Sequence, residues 1–385
     1  MTPPAPLRGF PPKGGDRACG LAKPVPRRAL ALALALGLLT GCSSMDAGPG
    51  YYWQSVSGHL ALMRAARPVP DWLADPATPA PLQQKLALSQ RIRDFAVAAL
   101  ALPDNASYRR YADLHRKAVV HNVAAAPALS LELQRWCFPV TGCVGYRGYF
   151  DEHEARTFAR SLGDRLDVAV YPVPAYSTLG WMNWAGGDPL LSTFIGYPEG
   201  ELARLLFHEL AHQVVYASGD TVFNESFATA VERLGGARWL AQSDETARRA
   251  YAEFDGRRQA FRALTRETRE RLQALYADAA LDEAAKLARK AQLLQDFRQR
   301  FEALRQGWGG YKGYDAWVAQ ANNASFGAQA AYDQWVTAFE RLFEREGRSF
   351  PRFYDAVRHL ADLPAQERQA ALQALDPGAL PPSPP

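Results

Sequence analysis

The spacing of apolar positions along the chain changes several times, and each change marks a change of element. Residues 29–39 form an unbroken apolar run of about a dozen residues, too short to cross a bilayer as a permanent helix. A helical stretch is expected near 59–66. From 82 to 102 apolar residues recur at helical intervals until Pro103 breaks the pattern, and 108–121 continues in the same style. Between 140 and 191 the texture turns aromatic, β-branched and glycine-rich, and 166–171 and 176–181 read as strands of a small sheet. A helix begins after Pro198 with Glu199 and Glu201 in its first turn, and a second begins near Asn224 and stops at Gly235-Gly236. Residues 243–306, dense in Arg, Glu, Gln, Ala and Leu, predict one long helix or a helical hairpin with a charged, solvated outer face. A loop at 308–314, two further helices and a frayed tail from 377 complete the chain. The pattern describes a predominantly helical α+β protein, with a small sheet upstream of a helix pair and a long helical hairpin downstream.

Composition narrows the class. With 48% hydrophobic and 22% charged residues among 385, the chain is built to fold. Its formal charge of +4 comes from the N-terminus, where Arg8, Lys13, Arg17, Lys23, Arg27 and Arg28 face Asp16 alone. The remainder is close to neutral, so nothing in its overall charge draws it to nucleic acid.

The basic N-terminus, the apolar run and Leu39-Thr40-Gly41-Cys42 follow one another in the order of an export signal. The last four residues resemble the bacterial lipobox, which implies a signal peptide over 1–41 and acylation of Cys42, with an ordinary secretory signal as the alternative. Ser43 in the next position resembles outer-membrane sorting. The expected organisation is a tether at 42–50, one domain at 51–376 and a flexible tail at 377–385, on an outer-membrane lipoprotein facing the periplasm. Cys137 and Cys143 remain as an even pair flanking turn residues, and in an oxidising compartment they are expected to form a disulfide.

The chemistry centres on His208-Glu209-Leu210-Ala211-His212, an H-E-x-x-H sequence. Residues four apart on a helix lie one above the other, so His208 and His212 can bind one zinc ion with Glu209 beside its water as general base. A catalytic zinc needs a third protein ligand and an open position. A short connection would bring a following helix back antiparallel, which makes Glu225 the best third ligand and Asp220, nearer but in a turn, the second choice. A di-iron carboxylate bundle would need a second Glu-x-x-His, and Glu209–His212 is the sole instance. A non-catalytic lipoprotein scaffold with a structural or vestigial zinc site is the remaining alternative, and it has no need of a base at Glu209.

The run from Phe207 to Gly236, with Asp220-Thr221-Val222-Phe223-Asn224-Glu225-Ser226-Phe227-Ala228, resembles the gluzincin metallopeptidases and more closely the bacterial predicted aminopeptidases. Tyr146-Arg147-Gly148-Tyr149-Phe150, Tyr176-Ser177-Thr178-Leu179-Gly180-Trp181 and Asn322-Asn323-Ala324 are similar to segments of the same family. The resemblance implies a zincin-like catalytic helix pair, one Zn2+ ion, a peptide substrate and hydrolysis in which Glu209 takes a proton from water and hands it to the leaving amine. Two positions depart from the gluzincin pattern. Thr229 stands where many carry a supporting aspartate; Glu232, one turn on, either takes that role or is a surface acid. The G-x-M-E-N signature of many gluzincin aminopeptidases is absent. Tyr311, Tyr314 and Tyr332 are candidate oxyanion donors or packing residues. Tyr176 sits on an expected strand that either pairs with extended peptide or belongs to the core. Asn322 and Asn323 either cap a helix or contact substrate.

Overall fold

A computed structural model describes residues 48–377, apart from 139–141, 176, 181–182, 331 and 333. The expected signal segment, Cys42 and most of its tether, Tyr176 and the last residues of the tail lie outside the described residues. The first described element is α1 (Pro49–Ala65), opened by a proline in its first turn, where the missing N–H costs nothing. It leads through β1 (Arg67–Pro68) and α2 (Val69–Ala74) to α3 (Ala80–Leu100), which ends in a left-handed Ala101 ahead of Pro103.

The helical continuation expected at 108–121 does not form. Tyr108 adopts a left-handed φ of 63° and donates its N–H to the Asp188 carbonyl at 2.6 Å, which turns the chain out of helical geometry. Beyond it β2 (Arg110–Ala112) pairs with β1 and, in parallel, with Leu190 and Leu191. The main sheet follows. β3 (Val120–Pro127) is its centre, flanked antiparallel by β6 (Arg147–Tyr149) and β7 (Leu166–Val173), with Asn122 opposite Gly148 and Val123 opposite Val170. β4 (Trp136–Phe138) and β5 (Gly142–Val144) make a separate hairpin closed by the Cys137–Cys143 disulfide, and α4 (Glu152–Ser161) starts from an Asp151 cap. β3 is alanine-rich and would suit a helix by propensity. It is a strand because Ala124 and Ala126, with Ala169 of β7, form a flat surface on which Ala324 of a later helix sits closely.

The second strand expected at 176–181 is also absent among its described residues. Positions 177–180 form a turn, with Leu179 at φ 56° and Gly180 at φ 80°, because the buried Asp188 carboxylate gathers the Thr178 N–H at 3.0 Å and its hydroxyl at 2.8 Å. β8 (Leu190–Leu191) then completes the small β1-β2-β8 sheet.

Helices dominate from there: α5 (Glu199–Ala211), α6 (Thr221–Leu240), α7 (Glu245–Ala277) and α8 (Glu283–Gly307), then α9 (Asp315–Ala319), α10 (Asn323–Ala330), α11 (Val336–Arg345), α12 (Phe350–Asp362) and α13 (Ala365–Leu375). Residues 243–306 thus resolve as a hairpin, with Asp244 and Asp282 capping its two helices, and five helices rather than two follow the 308–314 loop. The principal core surrounds α5 and α6 with Phe207, Phe223, Phe227, Phe339 and Phe353, while Phe261, Phe297, Phe301 and Phe326 form a second core under the hairpin.

α6 is longer than its sequence predicts at both ends. It starts at Thr221 and runs straight through Gly235-Gly236. The glycines are contact points, not a stop signal. A Cβ on Gly235 would lie 2.6 Å from Leu100 Cδ1, and one on Gly236 would lie 2.8 Å from Arg204 Cγ. Their missing side chains let α5 and α3 press against α6.

Candidate active site

The helix pair α5–α6 carries the site. Glu199 in the first turn of α5 accepts from Trp239 Nε1 at 3.0 Å and from Ser243 Oγ at 2.9 Å, which fastens the start of α5 to the end of α6. Regular helix ends at Ala211, and His212 keeps helical dihedrals as its C-cap, so His208 and His212 stay on one face. The return loop is held by Asn224, whose amide oxygen accepts the Ala217 N–H at 2.7 Å and whose NH2 donates to the Ala217 carbonyl at 2.8 Å. Asp220 is thereby assigned a different task from metal binding. It caps α6 by accepting the Phe223 N–H at 3.0 Å and pairs with Arg368 at 3.0 Å.

One turn into α6, Glu225 comes back to the histidines. Nε2 of His208 lies 3.2 Å from Glu225 Oε2 and 3.2 Å from His212 Nε2, and His212 Nε2 lies 3.6 Å from the same carboxylate oxygen. Ligand atoms about 2.0–2.1 Å from a tetrahedral zinc ion stand about 3.3–3.4 Å apart, so this triangle fits such an ion. Two imidazoles and one carboxylate are also the donor set of a catalytic rather than a structural zinc site. Among the described residues these three form a group able to hold a metal, and all lie close-packed and largely out of solvent.

Behind the triangle stands a second layer of charge. Glu232, two turns beyond Glu225 on the same face, places Oε2 3.0 Å from His208 Nδ1. Being a carboxylate it can only accept, so Nδ1 carries the proton and Nε2 is left for the site. The other Glu232 oxygen pairs with Arg204, which donates to Tyr251 Oη at 2.8 Å and to Asp255 at 3.1 Å. Thr229, the position where many gluzincins carry an acid, is buried and is not part of this contact chain. His212 has no equivalent support: its Nδ1 is buried without a hydrogen-bond partner among the described residues.

Electrostatics follow from this packing. Burial would raise the Glu225 carboxyl, but the His212 and His208 rings beside it hold it down at about 2. For Glu232 burial likewise opposes ionisation, and Arg204 and His208 override it, leaving the carboxyl far below its ordinary range. Burial would lower His208, and its hydrogen bonds to the Glu225 and Glu232 carboxylates carry it well above the usual imidazole value instead. Glu209 points the other way. Burial dominates there, the histidine charges only partly offset it, and its pKa is raised.

Tyrosines line the surroundings. The Tyr332 ring stacks near the His208 ring at 6.2 Å between centroids, it is 37% exposed, and the Glu225 charge raises its phenol pKa well above the ordinary value. Tyr146, in the turn between β5 and β6, is raised by burial and then by Glu225. Neither residue stands at a spacing from the zinc motif that would single it out in sequence. The disulfide hairpin sits against the same region: Arg135 donates to the Cys143 carbonyl at 3.1 Å and the Gly219 carbonyl at 2.8 Å, joining it to the α5–α6 loop.

Other expected residues are elsewhere. Asn323 is fully buried, donating to the Pro127 and Ala128 carbonyls at 2.9 Å each and accepting from Tyr276 Oη at 2.7 Å, and Asn322 donates to the Val168 carbonyl at 2.9 Å while accepting the Ser325 N–H. Both amides are engaged in fixing α10 to the sheet. Tyr314 stacks on Phe261 at 4.1 Å, and Tyr311 packs edge-on to Phe254, both against α7 of the hairpin.

The fold is predominantly helical α+β, and on its central helix pair two imidazoles and a carboxylate meet in a group that could hold a metal ion. Residues 50–372 match the model of the family described as "Putative aminopeptidase", and the chain belongs to that family. No curated protein and no solved structure matches the chain.

Proposed function

We propose that this protein is a zinc-dependent peptidase of the gluzincin type, acting as an aminopeptidase. The triangle of His208 Nε2, His212 Nε2 and Glu225 Oε2, with edges of 3.2, 3.2 and 3.6 Å, carries the reading. Zinc bound there would supply Lewis acidity and acidify a water molecule. His208, locked in one tautomer by Glu232, and His212 and Glu225 would hold that single ion. Glu209 is raised by burial toward the range in which a carboxylate both accepts and returns a proton, so it takes the proton of the attacking water and delivers it to the leaving amine. Tyr332 and Tyr146 stay protonated in the field of Glu225 and are the donors available to a developing oxyanion. Exopeptidase specificity rests on the family description.

Glu209→Gln preserves size and hydrogen bonding and removes the base. Zinc content and fold are expected to stay as in the parent, while peptide hydrolysis falls at least about a hundredfold. If the metal-replete parent cleaves nothing in a broad peptide library, the peptidase reading fails. If the variant cleaves as fast as the parent, Glu209 is not the base. The anchor belongs to the same proposal: Cys42 is acylated and holds the enzyme at the periplasmic face of the outer membrane. Cys42→Ser is expected to release it into the soluble fraction, and palmitate label on that variant would refute the assignment.

A further inference from the structure

α1 is firmly seated on one side and bare on the other. On its inner side the Tyr51 ring stacks on Phe138 at 5.5 Å with the Arg147 guanidinium 4.2 Å above it. The Gln54 amide accepts the Phe150 N–H at 3.0 Å and donates to the Gly148 carbonyl at 3.3 Å, satisfying the free edge of β6, and Leu62 is buried. On the outer side Trp53, Val56 and Leu60 are 74%, 55% and 45% exposed. Spaced i, i+3, i+7, they share one face. Arg64 follows one turn later, and no acidic residue occurs anywhere in the helix. A helix that is apolar on both sides is ordinarily covered on both.

The chain itself indicates the cover. Cys42 lies seven residues before Pro49, a reach of at most about 25 Å when fully extended. With an acyl anchor at Cys42, α1 is the first described element beyond it in the sequence. Indole favours the boundary between headgroups and acyl chains, and a basic residue beside it favours anionic headgroups. Three large side chains on one helix fall far short of the roughly 800 Å² per partner of a standard protein interface, so a second copy is the poorer fit.

We propose that α1 lies along the lipid surface, with Trp53, Val56 and Leu60 entering the headgroup region and Arg64 meeting lipid phosphates. The inference takes only proximity from the anchor assignment, and mass spectrometry of the isolated protein checks that assignment separately. The membrane-isolated protein would be placed in vesicles of phosphatidylethanolamine with a minority of phosphatidylglycerol, some carrying brominated chains. Tryptophan emission is expected to be quenched by bromolipid in the parent, and Trp53→Phe should remove most of the quenchable part. Trp53→Ser combined with Leu60→Ser should transfer between vesicles at least about fivefold faster, with circular dichroism and metal content unchanged. Equal quenching in parent and Trp53→Phe, or none in either, overturns the proposal. So does a sedimenting dimer that Trp53→Ser dissociates in the absence of lipid, which would make the face a contact between copies.

Discussion

The molecule contains two antiparallel helix pairs built on opposite principles. α5 and α6 press together through glycine contacts and bury histidines, glutamates and Arg204 between them. α7 and α8 are longer, keep most of their charges outside and meet through an aromatic seam in which Phe261 packs edge-on against Phe301, extended by Phe297 against Trp317 of α9 and Phe326 of α10. The seam stabilises by burying apolar area, whereas the polar pair holds ionisable groups that are tolerable only while each has its partner. A substitution in the first pair should therefore read out in chemistry, and one in the second in stability.

The hairpin offers the largest test. Phe297→Ala removes a fully buried ring and is expected to cost about 3–5 kcal/mol of stability while leaving kcat per folded molecule unchanged. Loss of activity in the still-folded fraction would show that the two pairs are not independent. Glu232→Gln should read out in metal binding: affinity drops about 10–100-fold, measured by competition with a chelator.

Acid behaviour sharpens the contrast at intermediate size. In metal-free protein Glu225 and Glu232 lie below the ordinary value of 4.5, so the stability they contribute is present above that pH and is lost as pH falls through their folded values, about 2 for Glu225. His208 is raised above 6.5, so its contribution is full below that pH and disappears as pH rises through its folded value. Denaturation of the metal-free protein should show maximal stability between the two, and Glu232→Gln should flatten both flanks. The smallest effect is expected from Arg300→Gln. Its bidentate pairing with Glu267 is solvent-exposed, and loss of such a pair should leave the melting temperature within error of the parent.

How much of this could be read from sequence depended on distance along the chain. His208, His212 and Glu225 are joined by helical periodicity and a short loop, both visible as spacing, and Glu232 lies two turns beyond. Spacing said nothing of Tyr146, which arrives from the sheet, or of Arg204, whose role depends on meeting Glu232 across the pair. Propensity misled where packing outweighed it. The alanines of β3 are small to admit α10, and Gly235-Gly236 are small to admit α5 and α3. Asn322 and Asn323 had the chemistry of substrate contacts, but the sheet carbonyls they satisfy cannot be seen in a linear chain.

The compactness of the site in sequence bears on how it comes into being. The three candidate ligands and their nearest charged supports, Glu232 and Arg204, all lie within one helical hairpin. Contacts this local close with little loss of chain entropy and form early in folding. The phenylalanines that seal the pair, Phe339 and Phe353, arrive from more than a hundred residues downstream. A chain emerging N-terminus first could thus gather its candidate ligands before its core is closed, and an ion captured at that stage would pin the hairpin on which the later helices condense.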